Sequence, residues 1–130
     1  MKFKIDSLIK RPTDKELLGL WQQIVKLRAK GVCEYPNCGK KEYLNAHHIY
    51  SRSHKSTRYE PDNGMCLCSG HHSLTRNSAH KDPEFKDIII KAGVRTVDFY
   101  TTLRFRAFQP AKLDLNAVKL YLKQELKKYE

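Results

Sequence analysis

The sequence predicts an α+β protein built on a small, zinc-stapled ββα core with helices on both sides. Its 130 residues suit one domain with a modest core. All four cysteines and all six histidines lie within residues 33–80, so the metal-binding groups are gathered into one stretch. Helical periodicity of apolar residues occurs before and after that stretch. We therefore expect a single domain over residues 1–130, with an N-terminal helix at 13–31, the metal-binding core at 32–93 and a helical extension at 94–130.

The first predicted element is a helix over residues 13–30. Thr13 is suited to the N-cap position, and Glu16 stands where a capping-box partner is expected. Gly31 then ends the helix. Its apolar stripe consists of Leu17, Leu18, Trp21, Ile24 and Val25. We interpret Trp21 as a core residue of this stripe rather than as a base-stacking residue.

Two short strands are predicted next. Residues 44–50 carry His47 and His48, and adjacent residues of a strand face opposite sides. Residues 64–68 form the second strand, after a Pro-Asp-Asn-Gly turn that is typical of a hairpin-like return. A helix is expected to follow over residues 70–78.

Three more helices are predicted beyond this stretch. Pro83 and Gly93 bound the first, at residues 84–91. Residues 97–108 alternate like a strand but also fit a helix, and we favour the helix. Asp114 caps the last helix. Its apolar stripe, which indicates a core or dimer contact, consists of Leu115, Val118, Leu122, Leu126 and Tyr129.

The charge pattern indicates a polyanionic partner. The net charge is +11, and residues 26–58 hold eight Lys or Arg against two acidic residues. Residues 59–92 hold four basic residues against five acidic ones. This distribution suits phosphate contacts beside a reactive centre, although a merely solubilising surface is the alternative.

The expected compartment bears on the role of the cysteines. No apolar run is long enough to cross a membrane, and residues 1–6 lack the apolar core of a signal peptide, so we expect an intracellular protein. In a reducing compartment, cysteines mixed with histidines favour metal binding over disulfides or buried thiols. A structural zinc needs two short-spaced ligand pairs. The predicted set is Cys33, Cys38, Cys68 and His71. Cys66 could compete as a ligand, but the Cys68 spacing fits better.

The remaining histidines indicate chemistry. Because His47 and His48 face opposite sides, one can bind a metal while the other faces a different group. If the strands and the following helix fold back as a ββα unit, His72 comes beside them. Neutral imidazoles there could hold a divalent metal that leaves positions open for a phosphate oxygen. The remaining histidine could then act as general base for water, which predicts phosphodiester hydrolysis.

This pattern resembles the HNH endonucleases, whose core is the ββα-metal unit, and especially phage-encoded HNH proteins. The resemblance spans roughly residues 17–93. Its motif consists of His47-His48-Ile49, Asn63, Cys68-x-x-His71 and His72. The sequence departs from the commoner family pattern in two ways. His71 stands where a fourth zinc cysteine is usual, and five positions rather than three lead from Cys33 to Cys38.

The resemblance implies a role for each residue. His48 becomes the general base, and His47 and His72 become ligands of a catalytic divalent metal, which would be Mg2+, Mn2+ or Ni2+. Asn63 holds the loop and orients the base, and His80 is a candidate third ligand. The predicted function is metal-dependent hydrolysis of DNA phosphodiester bonds. The alternative is a zinc-stapled nucleic-acid-binding module that does not cut.

Partners follow from the same prediction. Three basic residues between the histidine pair and Asn63 are expected to contact the DNA backbone: Arg52, Lys55 and Arg58. We expect duplex DNA, with branched or nicked forms as further options, in the cytoplasm of a bacterium or a phage-infected host. A third interpretation, a phage assembly or recombination partner, predicts an exposed apolar face on the last helix.

Overall fold

The computed structural model describes residues 10–130. The segment from which a signal peptide was judged absent, residues 1–6, lies outside the described part. The described elements are helix α1 (Asp14–Arg28), strands β1 (Leu44–His48) and β2 (Gly64–Cys68), and helices α2 (Phe85–Lys91), α3 (Val97–Ala107) and α4 (Leu115–Lys127). Within residues 10–130, none of these helices has the length and apolar character required to cross a bilayer.

The two strands form an antiparallel hairpin in which Leu44 lies opposite Cys68 and His48 lies opposite Gly64. The predicted bounds of β2 are confirmed. Strand β1 ends two residues earlier than predicted. The reason is that the backbone of Tyr50 bonds to the Asn63 side chain instead of to a neighbouring strand.

Helix α1 begins as predicted, but only one of the two contacts of the expected capping box forms. The Thr13 hydroxyl oxygen accepts from the Glu16 amide at 3.1 Å. The Glu16 carboxylate instead pairs with Lys119 of α4, at 2.6 Å. Helix α1 covers one face of the hairpin, and it approaches closely because a side chain at Gly64 would overlap Val25 of the helix.

Helix α4 packs on α1 within the same chain. Leu122, on the predicted apolar stripe of α4, is fully buried against Leu17, Leu18 and Ile24 of α1. Leu115, Val118 and Leu126 pack against the same cluster, so most of the stripe builds intramolecular core. Tyr129, the last residue of the predicted stripe, lies beyond the helix and is exposed.

The other face of the hairpin is covered by α2 and α3. Phe85, Ile89 and Tyr100 pack against Met65 and Leu67 of β2. Both helices lie where they were predicted, within one residue at each end.

The ambiguity over residues 97–108 is resolved as a helix. The Thr96 hydroxyl oxygen accepts from the Phe99 amide at 3.0 Å and so caps α3. Just before this cap, Arg95 pairs with Glu34 at 2.8 Å, and the second Glu34 oxygen accepts from the Cys66 amide. This carboxylate ties the cysteine turn to both the hairpin and α3.

The predicted helix over residues 70–78 is wrong. The chain makes a single π-helical turn at Gly70–Leu74, and Thr75 bonds back to the first carbonyl of that turn through its backbone and its side chain. The chain then reverses, so that the His80 amide donates to the His72 carbonyl at 3.2 Å. A continuous helix would separate these two residues by about 12 Å along its axis. The reversal brings them together.

Candidate functional site

Four side chains converge between the cysteine turn and the end of β2. We call Cys33, Cys38, Cys68 and His71 the Cys3His cluster; their ligand atoms all lie within 4.8 Å of one another. Cys68 Sγ lies 3.3 Å from His71 Nδ1 and 3.9 Å from Cys38 Sγ. Tetrahedral zinc with bonds of about 2.1–2.3 Å gives edges of roughly 3.5–3.8 Å. The cluster therefore has the donors and the spacing to hold a metal such as zinc.

The wide cysteine turn places an aromatic ring on the histidine of the Cys3His cluster. Asn37 and Gly39 adopt positive φ angles of 61° and 70°, which let the turn close after four intervening residues. One of those residues is Tyr35, whose ring stacks on His71 with centroids 3.9 Å apart and planes 8° from parallel. The longer turn thus supplies a residue that fixes the imidazole plane, and the sequence offered no signal for that contact.

Cys66, considered above as a competing ligand, lies elsewhere. It packs under α1 against Trp21 and Val25. Burial raises the pKa of the Cys66 thiol to about 11 and that of the Cys33 thiol to about 12. Zinc binding at the Cys3His cluster would therefore displace a proton from Cys33, because the thiolate is the ligand.

A second group of side chains that could hold a metal lies near the other end of the hairpin. We call His47, His72 and His80 the histidine cluster; their ring nitrogens come within 4.8 Å of one another. His72 Nε2 and His80 Nε2 are 3.2 Å apart. Two nitrogens bound to one cation at about 2.1 Å stand roughly 3.0–3.4 Å apart, so this pair is spaced to share a metal. His80 reaches the cluster only because the chain reverses after Gly70–Leu74.

Two imidazoles of the histidine cluster, those of His47 and His72, favour the neutral form. Burial, and then the charges of His72 and His80, lower the pKa of His47 to about 3. Burial also lowers the pKa of His72. Neutral imidazoles keep the lone pairs that a metal requires.

His48 lies on the opposite face of β1 and has different partners. Its ring stacks on Trp21, with centroids 3.8 Å apart and planes 15° from parallel. Its Nε2 lies 2.9 Å from the Arg58 carbonyl oxygen. Because a carbonyl can only accept, Nε2 carries the proton and Nδ1 keeps a lone pair. Burial lowers the pKa of His48, which keeps Nδ1 ready to accept a proton.

The two histidine faces meet in one opening. An open cleft of about 570 Å3 is lined by His48 and by all three members of the histidine cluster, and Arg52 stands at its side. We call this opening the reaction cleft. A phosphate placed there would meet metal-ligating nitrogens and a proton acceptor at once.

Asn63 braces the loop between the histidine pair and β2. Its side chain is fully buried, and its Nδ2 donates to the Tyr50 carbonyl at 2.9 Å and to the Thr57 carbonyl at 3.1 Å. Its Oδ1 accepts from the Tyr50 amide at 2.7 Å. Asn63 is thus placed to position the loop and has no exposed atom for substrate.

The three basic residues predicted to contact DNA have different surroundings. Arg52 is exposed at the reaction cleft, and Lys55 is exposed at a neighbouring groove that Lys112 also lines. Arg58 is engaged within the fold: its guanidinium lies 2.6 Å from Asp14 and also donates to the Arg52 carbonyl at 3.0 Å. A phosphate contact by Arg58 would have to compete with Asp14.

Helix α1 holds the loop between β1 and β2 through polar contacts as well as through packing. The Trp21 indole N–H donates to the Glu60 carbonyl at 2.7 Å. Arg28 donates to the Pro61 carbonyl at 2.8 Å and to the Gly64 carbonyl at 2.6 Å. With Asp14, these residues bind the segment that carries the His48 partner Arg58.

Comparison with known proteins bears on this geometry. Residues 28–75 match a family model described as HNH endonuclease, which is just over a third of the chain. The matched stretch holds the whole Cys3His cluster, His47, His48, Asn63 and His72, but not His80. No match was found among curated proteins or among solved structures. The family supports a nuclease-type function with a nucleic-acid substrate, and the resemblance to HNH endonucleases predicted from the sequence is confirmed over residues 28–75.

Proposed function

We propose that this protein is a metal-dependent HNH endonuclease that hydrolyses DNA phosphodiester bonds. His48 acts as the general base, and the histidine cluster holds one divalent metal. The Cys3His cluster holds a structural zinc. The observation that carries the proposal is that His47 and His48 line one cleft from opposite faces of β1, the first among metal-ligating nitrogens and the second with a free Nδ1.

The chain's own residues prepare the attack of water on phosphorus. The Arg58 carbonyl fixes the tautomer of His48, so that Nδ1 takes the proton of the water as its oxygen bonds to phosphorus and the bond to the leaving oxygen breaks. Trp21 holds the plane of the imidazole, and Asn63 holds the loop. When bound, the divalent cation supplies Lewis-acid stabilisation of the negative charge that develops on the phosphate oxygens.

The donor set bears on the choice of metal. The histidine cluster offers three imidazoles and, within the described residues, no carboxylate. Imidazole suits Ni2+ better than it suits Mg2+ or Mn2+, which prefer oxygen ligands. Among the three cations considered, we expect Ni2+ to bind this site most tightly.

The DNA backbone is expected to lie along the basic side of the reaction cleft. Arg52 and Lys55 are free to contact phosphates without reading bases, and the net charge of +11 favours association with a polyanion. We place this activity in the cytoplasm of a bacterium or a phage-infected host, where DNA is available.

Incubation with supercoiled plasmid tests the proposal. We expect nicking or linearisation with added Ni2+, Mn2+ or Mg2+ and none with EDTA. If the protein binds the plasmid in a salt-sensitive way but does not cut it with any of the three cations, it would instead be the non-cleaving nucleic-acid-binding module.

A further inference from the structure

A second cavity adjoins the reaction cleft and has no part in the mechanism above. Its volume is about 300 Å3, and it shares His47, Ile49 and Ala79 with the cleft. A ligand in the cavity would therefore lie next to whatever occupies the cleft. The volume lies at the lower end of small-molecule sites, about 300–1,000 Å3, so it has room for one planar ring system rather than for a base pair.

Three aromatic side chains contribute to the walls of this cavity. Tyr50, Phe85 and Tyr100 line it, together with Met65. Aromatic side chains can stack on nucleobases without demanding a particular base.

Tyr100 brings a polar group that the fold leaves unused. The residue is 5% exposed, yet its hydroxyl makes no hydrogen bond with any residue of the described part of the chain. Burial raises the pKa of Tyr100 to about 12, so the hydroxyl stays protonated and can both donate and accept. The hydroxyl is not fully enclosed by the fold, so a ligand in the cavity could exchange hydrogen bonds with it.

Two charged residues complete the lining. The Lys86 ammonium lies 5.1 Å from the centre of the Tyr100 ring, and Asp82 lines the same cavity. A hydroxyl, a carboxylate and an ammonium among apolar side chains match the donors and acceptors on the edge of a base.

We propose that this cavity is a base pocket that takes one unpaired nucleobase of the DNA strand whose phosphate lies in the reaction cleft. The inference rests on the proposed endonuclease function. It names the substrate class, because a base can enter the pocket only when it is unpaired. Single-stranded, bulged or branched DNA should bind better than continuous duplex.

The test compares two twelve-residue strands of equal backbone charge, one of deoxycytidines and one of abasic residues. In a uniform strand every register is equivalent, and the backbone contacts cancel in the comparison. With full-length His48→Ala protein in Mg2+, which should bind without cutting, we expect the deoxycytidine strand to bind roughly tenfold more tightly by fluorescence anisotropy.

Variants then assign that preference to the pocket. Tyr100→Phe should weaken binding of the deoxycytidine strand about fivefold, leave the abasic strand unchanged and leave the melting temperature unchanged, because the lost hydroxyl has no partner in the fold. Asp82→Asn keeps an oxygen that can accept from the Glu84 amide, and it should also weaken binding of the deoxycytidine strand. Tyr129→Phe, the same change on the exposed end of the chain, should alter neither strand.

Three outcomes would overturn the base pocket: equal binding of the two strands, no binding of either strand, or a base preference that both pocket variants leave intact. Wild-type plasmid cleavage measured alongside separates this failure from failure of the proposed function. If the wild-type protein cuts plasmid while the strands bind alike, only the base pocket is wrong.

Discussion

Trp21 and His48 form the contact on which the proposed chemistry depends most directly. The indole is fully buried, and its N–H is fixed by the Glu60 carbonyl. The imidazole that lies against it can neither tilt nor leave its bond to the Arg58 carbonyl without separating from a flat, immobile surface. In the proposed mechanism, Trp21 is therefore a positioning residue for the general base as well as a core residue.

Trp21→Leu should slow DNA cleavage by more than its loss of stability alone would explain. Leucine fills part of the space but offers no flat face, so we expect kcat to fall roughly 100-fold with little change in KM. Trp21→Phe, which keeps a ring but loses the indole N–H, should recover part of that rate.

The matched control for Trp21 is Ile24→Ala, on the same helix and equally buried but packed towards α4. Both α1 variants should lower stability, by about 2–5 kcal/mol. Rates are compared well below both melting transitions, after zinc content is checked. A rate loss that follows the loss of stability equally in both variants would show that Trp21 acts only through packing.

At this scale the sequence predicted the residues but not their partners. Strand geometry placed His47 and His48 on opposite sides, and the structure agrees. Helical periodicity identified Trp21 as buried, but it contains no information on which residue of another element that face covers. The stacking of Tyr35 on His71 was missed for the same reason.

Among the elements, the turn after β2 departs most from expectation, and it changes the site. A helix that continued from residue 70 through His80 would have held His72 and His80 about 12 Å apart along its axis. Local propensity could not foresee that Thr75 bonds back across a π-helical turn and that the chain then reverses. The regular helices and β2 were predictable because their caps and periodicity are local signals.

His80→Ala should weaken metal binding at the histidine cluster without changing metal binding at the Cys3His cluster. Titration of the zinc-loaded protein with Ni2+ should give an affinity at least about tenfold lower than wild type, because one of three ligand nitrogens is lost. His54→Ala, outside both clusters, serves as control, since His54 bonds to the Ala107 carbonyl. An unchanged Ni2+ affinity in His80→Ala would show that His80 is not a ligand of this metal.

For the molecule as a whole, the Cys3His cluster joins parts of the chain that Glu34 also ties together. It links the cysteine turn to the end of a two-stranded hairpin, and structural zinc in small domains contributes on the order of 10 kcal/mol. The division into one domain over residues 1–130 stays a prediction.

Cys38→Ser should abolish zinc binding and the cooperative melting transition. Cys66→Ala, which changes a buried thiol outside the cluster, should keep zinc and melt only somewhat lower. Metal analysis and thermal melting of both variants provide the check. If Cys38→Ser keeps zinc and Cys66→Ala loses it, the ligand is Cys66 and not Cys38.

The most direct test of the central claim is the rate at which His48→Ala nicks supercoiled plasmid at saturating metal, beside His54→Ala. A lost general base predicts a rate roughly 100- to 10,000-fold below wild type. Folding, zinc content, Ni2+ affinity and DNA affinity should stay intact, and more metal should not restore the rate. His54→Ala should cut almost as fast as wild type. Cleavage by His48→Ala at the wild-type rate, with contaminating nuclease excluded, would contradict the assignment of His48 as the base.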